Sequence, residues 1–174
     1  MKRLTFAVLG LLLAAGCSSS SSAPSSTPSN QTVRFTATLS AANENPPIAN
    51  AESTANGTAT IDLILSKDGT GAVTSAVVNF TSVTLAGFPS TAVVNIAHIH
   101  TGASTVNGPI LVNTTLAPGD IVLTGGSGSF TRNNITTLST TDAQAIIANP
   151  AGFYFNVHTT LNPGGVMRGQ LRAN

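Results

Sequence analysis

The alternation of apolar and polar side chains along this chain predicts a domain of short β-strands. Residues 33–39 read Val-Arg-Phe-Thr-Ala-Thr-Leu, and residues 58–63 alternate in the same way. Because successive side chains of a strand point to opposite faces of its sheet, this period of two is typical of strands with one buried face. Similar segments, separated by glycine, proline and asparagine, predict strands at 72–80, 92–100, 109–115, 121–124, 127–132, 152–159 and 166–172.

One helix is predicted among these strands. Thr141 and Gln144 have the spacing of a capping box, residues 145–148 continue the helix, and Asn149 and Pro150 end it. This number of short strands with one short helix favours an all-β fold, a Greek-key sandwich or barrel.

The first residues depart from the strand pattern and predict an exported protein. Lys2 and Arg3 precede an apolar run over 4–15, which is too short to cross a membrane and is typical of a secretory signal. Residues 12–17, Leu-Leu-Ala-Ala-Gly-Cys, resemble the lipobox of bacterial lipoproteins, in which the cysteine is lipidated. We therefore expect a signal peptide over 1–16 and a lipid anchor on Cys17, on the periplasmic or outer surface of a bacterial membrane. A plain signal peptide cleaved nearby is the alternative.

A tether and a single domain follow the signal peptide. Residues 17–32 comprise Cys17 and a serine- and proline-rich segment with nothing to pack. Residues 33–174 are long enough for one domain with its own core. Cys17 is the only cysteine, so its lipidation leaves the domain without a disulfide, and the core must hold the fold together.

The charge pattern argues against a nucleic-acid partner. The chain has seven basic and six acidic side chains, and removal of Lys2 and Arg3 with the signal peptide leaves it close to neutral. The charged positions are few and scattered, so they form no basic stripe. The sequence also has no glycine-rich phosphate loop, no cysteine pair for a zinc knuckle and no Gly-x-Ser-x-Gly elbow.

All three histidines of the chain lie in two predicted strands. His98 and His100 are two residues apart, so their side chains point to the same face of one strand, and His158 lies in another. Copper and zinc ions bind neutral imidazole nitrogens, and catalytic zinc sites commonly use three protein ligands with one open position. Three histidines on a rigid sheet therefore predict a site for one copper or zinc ion.

A purely structural role for the histidines is the alternative. The ring nitrogens of His98 would then bond to Asn156, Thr159 or the backbone and pin two sheets together. His100 would face solvent at the end of its strand. The concentration of all histidines in two segments favours metal binding more than scattered histidines would, without deciding between the two roles.

Arg168 and Glu44 form a second pair of candidate residues. An ion pair between them would tie the first and last strands together through a charge-assisted hydrogen bond. Alternatively, the guanidinium of Arg168 would lie near the metal and attract an anionic ligand or superoxide. The structural role is the preferred interpretation.

Four segments, taken together and in order, resemble the chordin-type (CHRD) domain of chordin and of many exported bacterial proteins. The resemblance covers residues 35–171. Its segments are 39–47, which ends in Glu-Asn-Pro-Pro; 56–59, Asn-Gly-Thr-Ala; 97–110, with Ala-His-Ile-His and Asn-Gly-Pro-Ile; and 152–171, with Gly-Phe-Tyr-Phe-Asn-Val-His-Thr and Val-Met-Arg-Gly-Gln-Leu. Asn45 stands where the family commonly has Val, and Val166 and Met167 stand where Glu and Ile are common, so no acidic role is transferred to that position.

The resemblance implies an extracytoplasmic β-sandwich of immunoglobulin or copper-zinc superoxide dismutase type. It implies no settled activity for the bacterial members. The His98-x-His100 segment is also similar to the copper-zinc superoxide dismutases, which need further histidines, an aspartate ligand and a disulfide. Because this chain has three histidines and one cysteine, we do not expect two-metal dismutase chemistry.

We therefore expect a lipid-anchored binding or structural module at the cell surface, rather than an enzyme. Its partners would be the membrane, through the lipid, and an extracellular protein or matrix component that contacts the loops after His100 and Thr159. The alternative function is a mononuclear copper or zinc protein with modest redox activity. In that case the ring nitrogens of His98, His100 and His158 should converge within about 4 Å of one another.

Overall fold

The computed structural model describes residues 27–174. The predicted signal peptide, Cys17 and the first part of the predicted tether lie outside the described residues, and what the sequence suggests for them stays a prediction. Within residues 27–174, no helix is both long enough and apolar enough to cross a membrane.

The described chain consists mainly of strands, which confirms the all-β prediction. One α-helix, α1 (Thr140–Ala148), and two short 3₁₀ turns, Ala41–Asn43 and Pro150–Gly152, accompany them. The strands are β1 (Ser29–Ser40), β2 (Asn56–Lys67), β3 (Val73–Ala86), β4 (Val94–Thr101), β5 (Ile110–Asn113), β6 (Gly128–Ile135), β7 (Phe153–Thr159), β8 (Met167–Gln170) and β9 (Arg172–Ala173).

The strands form one antiparallel sheet that curls on itself. Their order is β5-β4-β7-β8-β1-β2-β3-β6, and β9 pairs with β1. Phe80 of β3 packs on Phe155 of β7 with ring centroids 5.4 Å apart, although β8, β1 and β2 lie between these strands in the sheet. The sheet is therefore a half-barrel, and the hydrophobic core lies inside its curve.

The period of two in β1 and β2 separates the core from the outer surface. Phe35, Leu39 and Ile61 are buried in the core. On the opposite face, Arg34 is paired with Asp62 across the two strands through hydrogen bonds of 2.7 and 2.8 Å. The alternation that predicts these strands therefore also predicts which of their side chains are buried.

The strands differ from the prediction in several places. Strand β3 continues to Ala86 and β6 to Ile135, beyond their predicted ends, and the strand predicted at 166–172 is divided into β8 and β9. Strand β1 begins at Ser29, inside the predicted tether, because residues 29–32 pair with β2 through the backbone while their side chains stay exposed. The strand predicted at 121–124 is wrong: Thr124 makes only an isolated bridge to Ser127. Gly125 and Gly126, both at positive φ, form the tight turn between Thr124 and Ser127, and from Gly128 onwards the chain pairs with β3.

The predicted helix forms, but its cap differs from the prediction. Ser139, not Thr141, is the N-cap residue, and its side chain accepts a hydrogen bond from Asp142 N at 3.0 Å. The helix starts before Thr141 because Ser139 and Asp142 already have capping-box spacing. It ends at Ala148, before Asn149, as predicted.

Strand β7 is buried on both faces and sets the position of the candidate site. All seven of its residues are buried. Phe155 and Val157 belong to the hydrophobic core, so Tyr154, Asn156 and His158 point to the other face. Hydrogen bonds from that face of the sheet reach three segments, residues 41–55, 102–109 and 160–166, which we call the covering loops.

Candidate functional site

The three histidines lie on the face of the sheet beneath the covering loops. His98 of β4 is paired with Asn156 of β7, and His100 with Tyr154. Residues directly opposite on adjacent strands project to the same face, so His158, two residues beyond Asn156, lies on the face that carries His98 and His100. All three histidines are buried.

The three imidazoles converge. Nδ1 of His98 lies 3.3 Å from Nε2 of His158, and the two nitrogens share a hydrogen bond. One ring nitrogen of each histidine lies within 4.8 Å of those of the other two. The expected separation of about 4 Å is therefore reached for one pair, and the full set is slightly wider.

Hydrogen bonds to backbone carbonyls determine which ring nitrogens carry a lone pair towards the cluster. Nδ1 of His100 lies 2.9 Å from Gly108 O, and Nδ1 of His158 lies 2.9 Å from Pro163 O. A carbonyl oxygen only accepts hydrogen bonds, so both Nδ1 atoms carry the hydrogen. In the neutral rings, each Nε2 then carries a lone pair, as metal-ligating histidines with a carbonyl partner do.

The Nε2 atom of His100 has no hydrogen-bond partner in the described part of the chain. It is buried, in a side chain of a residue that is 8% exposed. A buried polar atom without a partner is costly in a folded protein and is an expected feature of a ligand site. The hydrogen bonds of the described residues therefore leave this one atom of the cluster without a partner.

The histidines are held in the neutral form. Burial lowers the pKa of His98 to about 4, and repulsion by protonated His158 and His100 adds to the effect. Burial also lowers the pKa of His100 and of His158, although their carbonyl hydrogen bonds oppose the shift. At neutral pH all three rings are therefore uncharged, and an ion at the cluster would replace the hydrogen that His98 Nδ1 donates to His158 Nε2.

The geometry fits a single first-row metal ion. Zinc–imidazole bonds of about 2.0–2.1 Å in a tetrahedral site place two ligand nitrogens about 3.3 Å apart. The His98–His158 nitrogen separation is 3.3 Å. A modest movement of His100, which is 8% exposed, would complete a three-nitrogen set.

The structural role is met in part: His100 and His158 bond to backbone carbonyls, but His98 bonds to His158 and not to Asn156 or Thr159. Asn156 donates to Glu44 Oε1 and Met167 O instead of to His98. Thr159 donates to Glu52 Oε2 at 2.6 Å. His100 is covered rather than facing solvent at a strand end.

Tyr154 belongs to the site although the sequence did not single it out. Its ring stacks on His100 with centroids 4.8 Å apart and an interplanar angle of 1°. Its hydroxyl accepts a hydrogen bond from Gly108 N at 3.2 Å, and Gly108 O accepts from His100. Tyr154 thus contacts His100 both directly and through Gly108. Its place four residues before His158 in the same predicted strand, which puts both side chains on one face, was the signal that could have found it.

Arg168 connects two covering loops to β8. Its Nε lies 3.2 Å from Glu44 Oε2 and donates to Asn43 O at 3.0 Å. The other guanidinium nitrogens donate to Val106 O at 3.0 Å and to Asn107 Oδ1 at 2.7 Å. Glu44 lies in the loop after β1, so the pair joins loops to β8 instead of joining two strands.

Burial gives Glu44 an unusual pKa. Desolvation raises the pKa of its carboxyl from 4.5 to about 7, although Arg168 and Asn156 oppose this shift. The carboxyl is therefore close to half ionised at neutral pH, and a small change in pH changes its average charge.

Glu52 holds the covering loop that carries Pro163. It is 1% exposed, and its Oε2 accepts hydrogen bonds from Thr159 at 2.6 Å and from Asn162 at 2.5 Å. The same loop orients His158 through Pro163 O. Sequence reasoning missed Glu52, because it lies in an irregular segment with no pattern to show its burial.

Asn45 links two covering loops. Its side chain donates to Thr105 O at 2.8 Å, and its carbonyl accepts from Asn107 Nδ2 at 2.7 Å. This is the position at which the sequence departs from the Val common in the resembling family. A valine could accept the second hydrogen bond through its backbone but could not make the first.

A family model described as the CHRD domain matches residues 35–171. The chain belongs to the CHRD domain family. Comparisons with curated proteins and with solved structures find no match. The resemblance seen in the sequence is therefore confirmed, and a CHRD domain indicates a binding or structural module. Glu44, Arg168 and the three histidines lie within the matched residues, and Cys17 lies outside them.

Proposed function

We propose that this CHRD-domain protein is a binding module whose histidine cluster holds one copper or zinc ion. The observation that carries the proposal is the buried, unpartnered Nε2 of His100 in the described chain. It lies in a cluster with Nε2 of His158 and Nδ1 of His98. An ion at the cluster would give this atom a partner.

The surroundings of the cluster support such an ion. Two of the rings are oriented by carbonyl oxygens, which is the usual outer contact of a metal-binding histidine. With three protein ligands, a bound ion keeps one position for water or a small ligand. We propose binding as the primary role, with redox activity secondary to it.

Metal analysis tests the proposal. The protein is purified without a histidine tag from medium containing copper and zinc, and its metal content is measured by mass spectrometry. We expect about one ion per chain for the native protein and a several-fold loss for H100A. T114V is the matched control, since it removes a buried hydrogen bond to Ala97 O at 2.8 Å without touching a histidine. Equal metal content in native protein and H100A would refute the proposal.

We also propose that the module is exported and held at the bacterial membrane by lipid on Cys17. The support is the basic start, the short apolar run and the Leu-Leu-Ala-Ala-Gly-Cys segment of the sequence. A fatty-acid label should be incorporated into the native chain and not into C17S, and C17S should leave the membrane fraction. Equal labelling of both chains would overturn the anchor.

Partner recognition by the loops is the second candidate function. Val106 and Ile110, which follow His100, are 47% and 54% exposed, and Leu161, which follows Thr159, is 54% exposed. Val106 and Leu161 lie on covering loops and Ile110 begins β5 directly after one. Exposed apolar side chains are typical of docking surfaces when they cluster. Cross-linking on intact cells should give a protein or matrix adduct with the native chain and lose it with I110S. An adduct that is unchanged in I110S would count against these loops.

A further inference from the structure

We propose that the histidine cluster is selective for the monovalent copper ion, Cu(I), over Cu(II) and Zn(II). This inference rests on the proposed metal-binding function and adds that the site prefers a monovalent ion to a divalent one. The geometry points to it because the cluster supplies three uncharged ligands in a buried position next to a fixed cation.

The ligand set carries no negative charge. In residues 27–174, the one group of three or more histidine, cysteine, aspartate or glutamate side chains close enough to hold a metal ion is His98, His100 and His158. Neutral imidazoles leave the full charge of a bound ion uncompensated. In solvent-exposed sites, nitrogen ligands favour Cu(II) over Zn(II), because water or anions there compensate part of the charge of the ion. The buried cluster has no such compensation from its ligands.

Burial penalises the charge of the ion. His98, His100 and His158 are 2%, 8% and 6% exposed. The free-energy cost of moving an ion from water into a low-dielectric interior grows with the square of its charge. The cost is therefore about four times larger for a divalent ion than for a monovalent one. Cu(I) also accepts three-coordinate geometry, which the three nitrogens offer without a fourth protein ligand.

The charged groups around the cluster do not offset a second positive charge. Arg168 is 2% exposed, and its guanidinium lies 4.7 Å from the centroid of Tyr154, whose ring stacks on His100. Repulsion by Arg168 is one of the causes that lower the pKa of His100. The carboxyl of Glu44 lies 3.2 Å from Arg168, and because its pKa is raised to about 7 it offsets only part of that positive charge at neutral pH.

The Oε2 atom of Glu52, the other buried carboxyl of the covering loops, is occupied by hydrogen bonds from Thr159 and Asn162. Its partner Thr159 is adjacent to His158 in sequence, so their side chains point to opposite faces of the strand. Glu52 is not among the side chains close enough to share an ion with the histidines.

Metal competition and the potential of the bound copper test the inference. The full chain carries Cys17→Ser in every arm, because a free thiol is itself a Cu(I) ligand. Cu(I) affinity is measured without oxygen against a coloured Cu(I) chelator, and Cu(II) and Zn(II) affinities against chelators for those ions. We expect one Cu(I) per chain that an excess of Zn(II) does not displace.

The expected preference for Cu(I) over Cu(II), relative to the hydrated ions, is about 100-fold. That ratio raises the reduction potential of the bound copper by about 120 mV, at 59 mV for each factor of ten. H98D keeps three ligands and adds one negative charge, so it should lower the potential towards that of hydrated copper. Circular dichroism checks that H98D is folded, and the native measurement decides the question if it is not.

The outcomes separate this inference from the proposed function. Tighter binding of Zn(II) or Cu(II) than of Cu(I), or a potential at or below that of the hydrated ion, overturns the Cu(I) preference while the metal site stands. No binding of any of the three ions, or equal binding by H100A, overturns the site and the inference together.

Discussion

The raised pKa of Glu44 predicts a pH dependence of stability that a single substitution removes. The pKa of its buried carboxyl is raised from 4.5 to about 7. The folded protein therefore holds this proton more tightly than the unfolded chain does. The stability that it contributes is fully present below pH 4.5 and is lost as the pH rises through 7.

The magnitude follows from the shift. At about 1.4 kcal/mol for each pKa unit, the rise from 4.5 to about 7 corresponds to about 3 kcal/mol of lost stability between pH 4.5 and pH 8. E44Q has no titrating group at this position and should not show this loss. Its amide changes the hydrogen bonds to Arg168 and Asn156 at both pH values alike, so the comparison uses the change with pH and not the absolute stability.

Denaturant unfolding of metal-free native protein and E44Q, at several pH values from 5 to 8, measures the effect. The buried histidines contribute with the opposite sign: their pKa values are lowered, so their contribution is lost as the pH falls below 6.5. Both proteins share that contribution, and the difference between them isolates Glu44. Parallel curves of stability against pH would refute the reasoning, since they would mean that Glu44 has the same pKa in the folded and unfolded chain.

Three further predictions concern the support of the cluster. G108A should lower the free energy of unfolding by about 2 kcal/mol or more and weaken metal binding, because its new Cβ would meet Thr101 O. G164A is the control: a Cβ there meets open space, so its stability and metal affinity should be close to native. Y154F removes the hydrogen bond from Gly108 N and should lower metal affinity about tenfold in chelator competition while keeping the stacked ring; an unchanged affinity would refute its role. E52Q weakens two charge-assisted hydrogen bonds and should cost about 2 kcal/mol of unfolding free energy, and a loss below about 0.5 kcal/mol would count against it.

Periodicity predicted the fold where one face of a strand is buried. The alternation around Phe35 and Ile61 identified β1, β2 and their core residues, since burial imposes the period of two. It could not identify the start of β1 at Ser29, where backbone pairing alone holds exposed side chains. It also predicted a strand at 121–124, because an apolar segment does not show whether a partner strand lies beside it, and only Thr124 makes a bridge there.

Strand geometry predicted the relation between His98 and His100 but not the rest of the candidate site. The spacing of His98 and His100 placed them on one face, because that relation is local to a strand. The approach of His158 depends on β7 lying beside β4, which is a matter of sheet order and register. The identity of the atoms that hold each ring, such as Gly108 O, depends on loop conformation that no periodicity encodes.

The direct test of the metal site is a crystal structure of the copper-loaded protein with anomalous diffraction measured at the copper edge. The account predicts one anomalous peak about 2.0–2.1 Å from Nδ1 of His98, Nε2 of His100 and Nε2 of His158. The account would be contradicted by an anomalous peak elsewhere in the protein together with a water molecule, and not copper, bonded to Nε2 of His100.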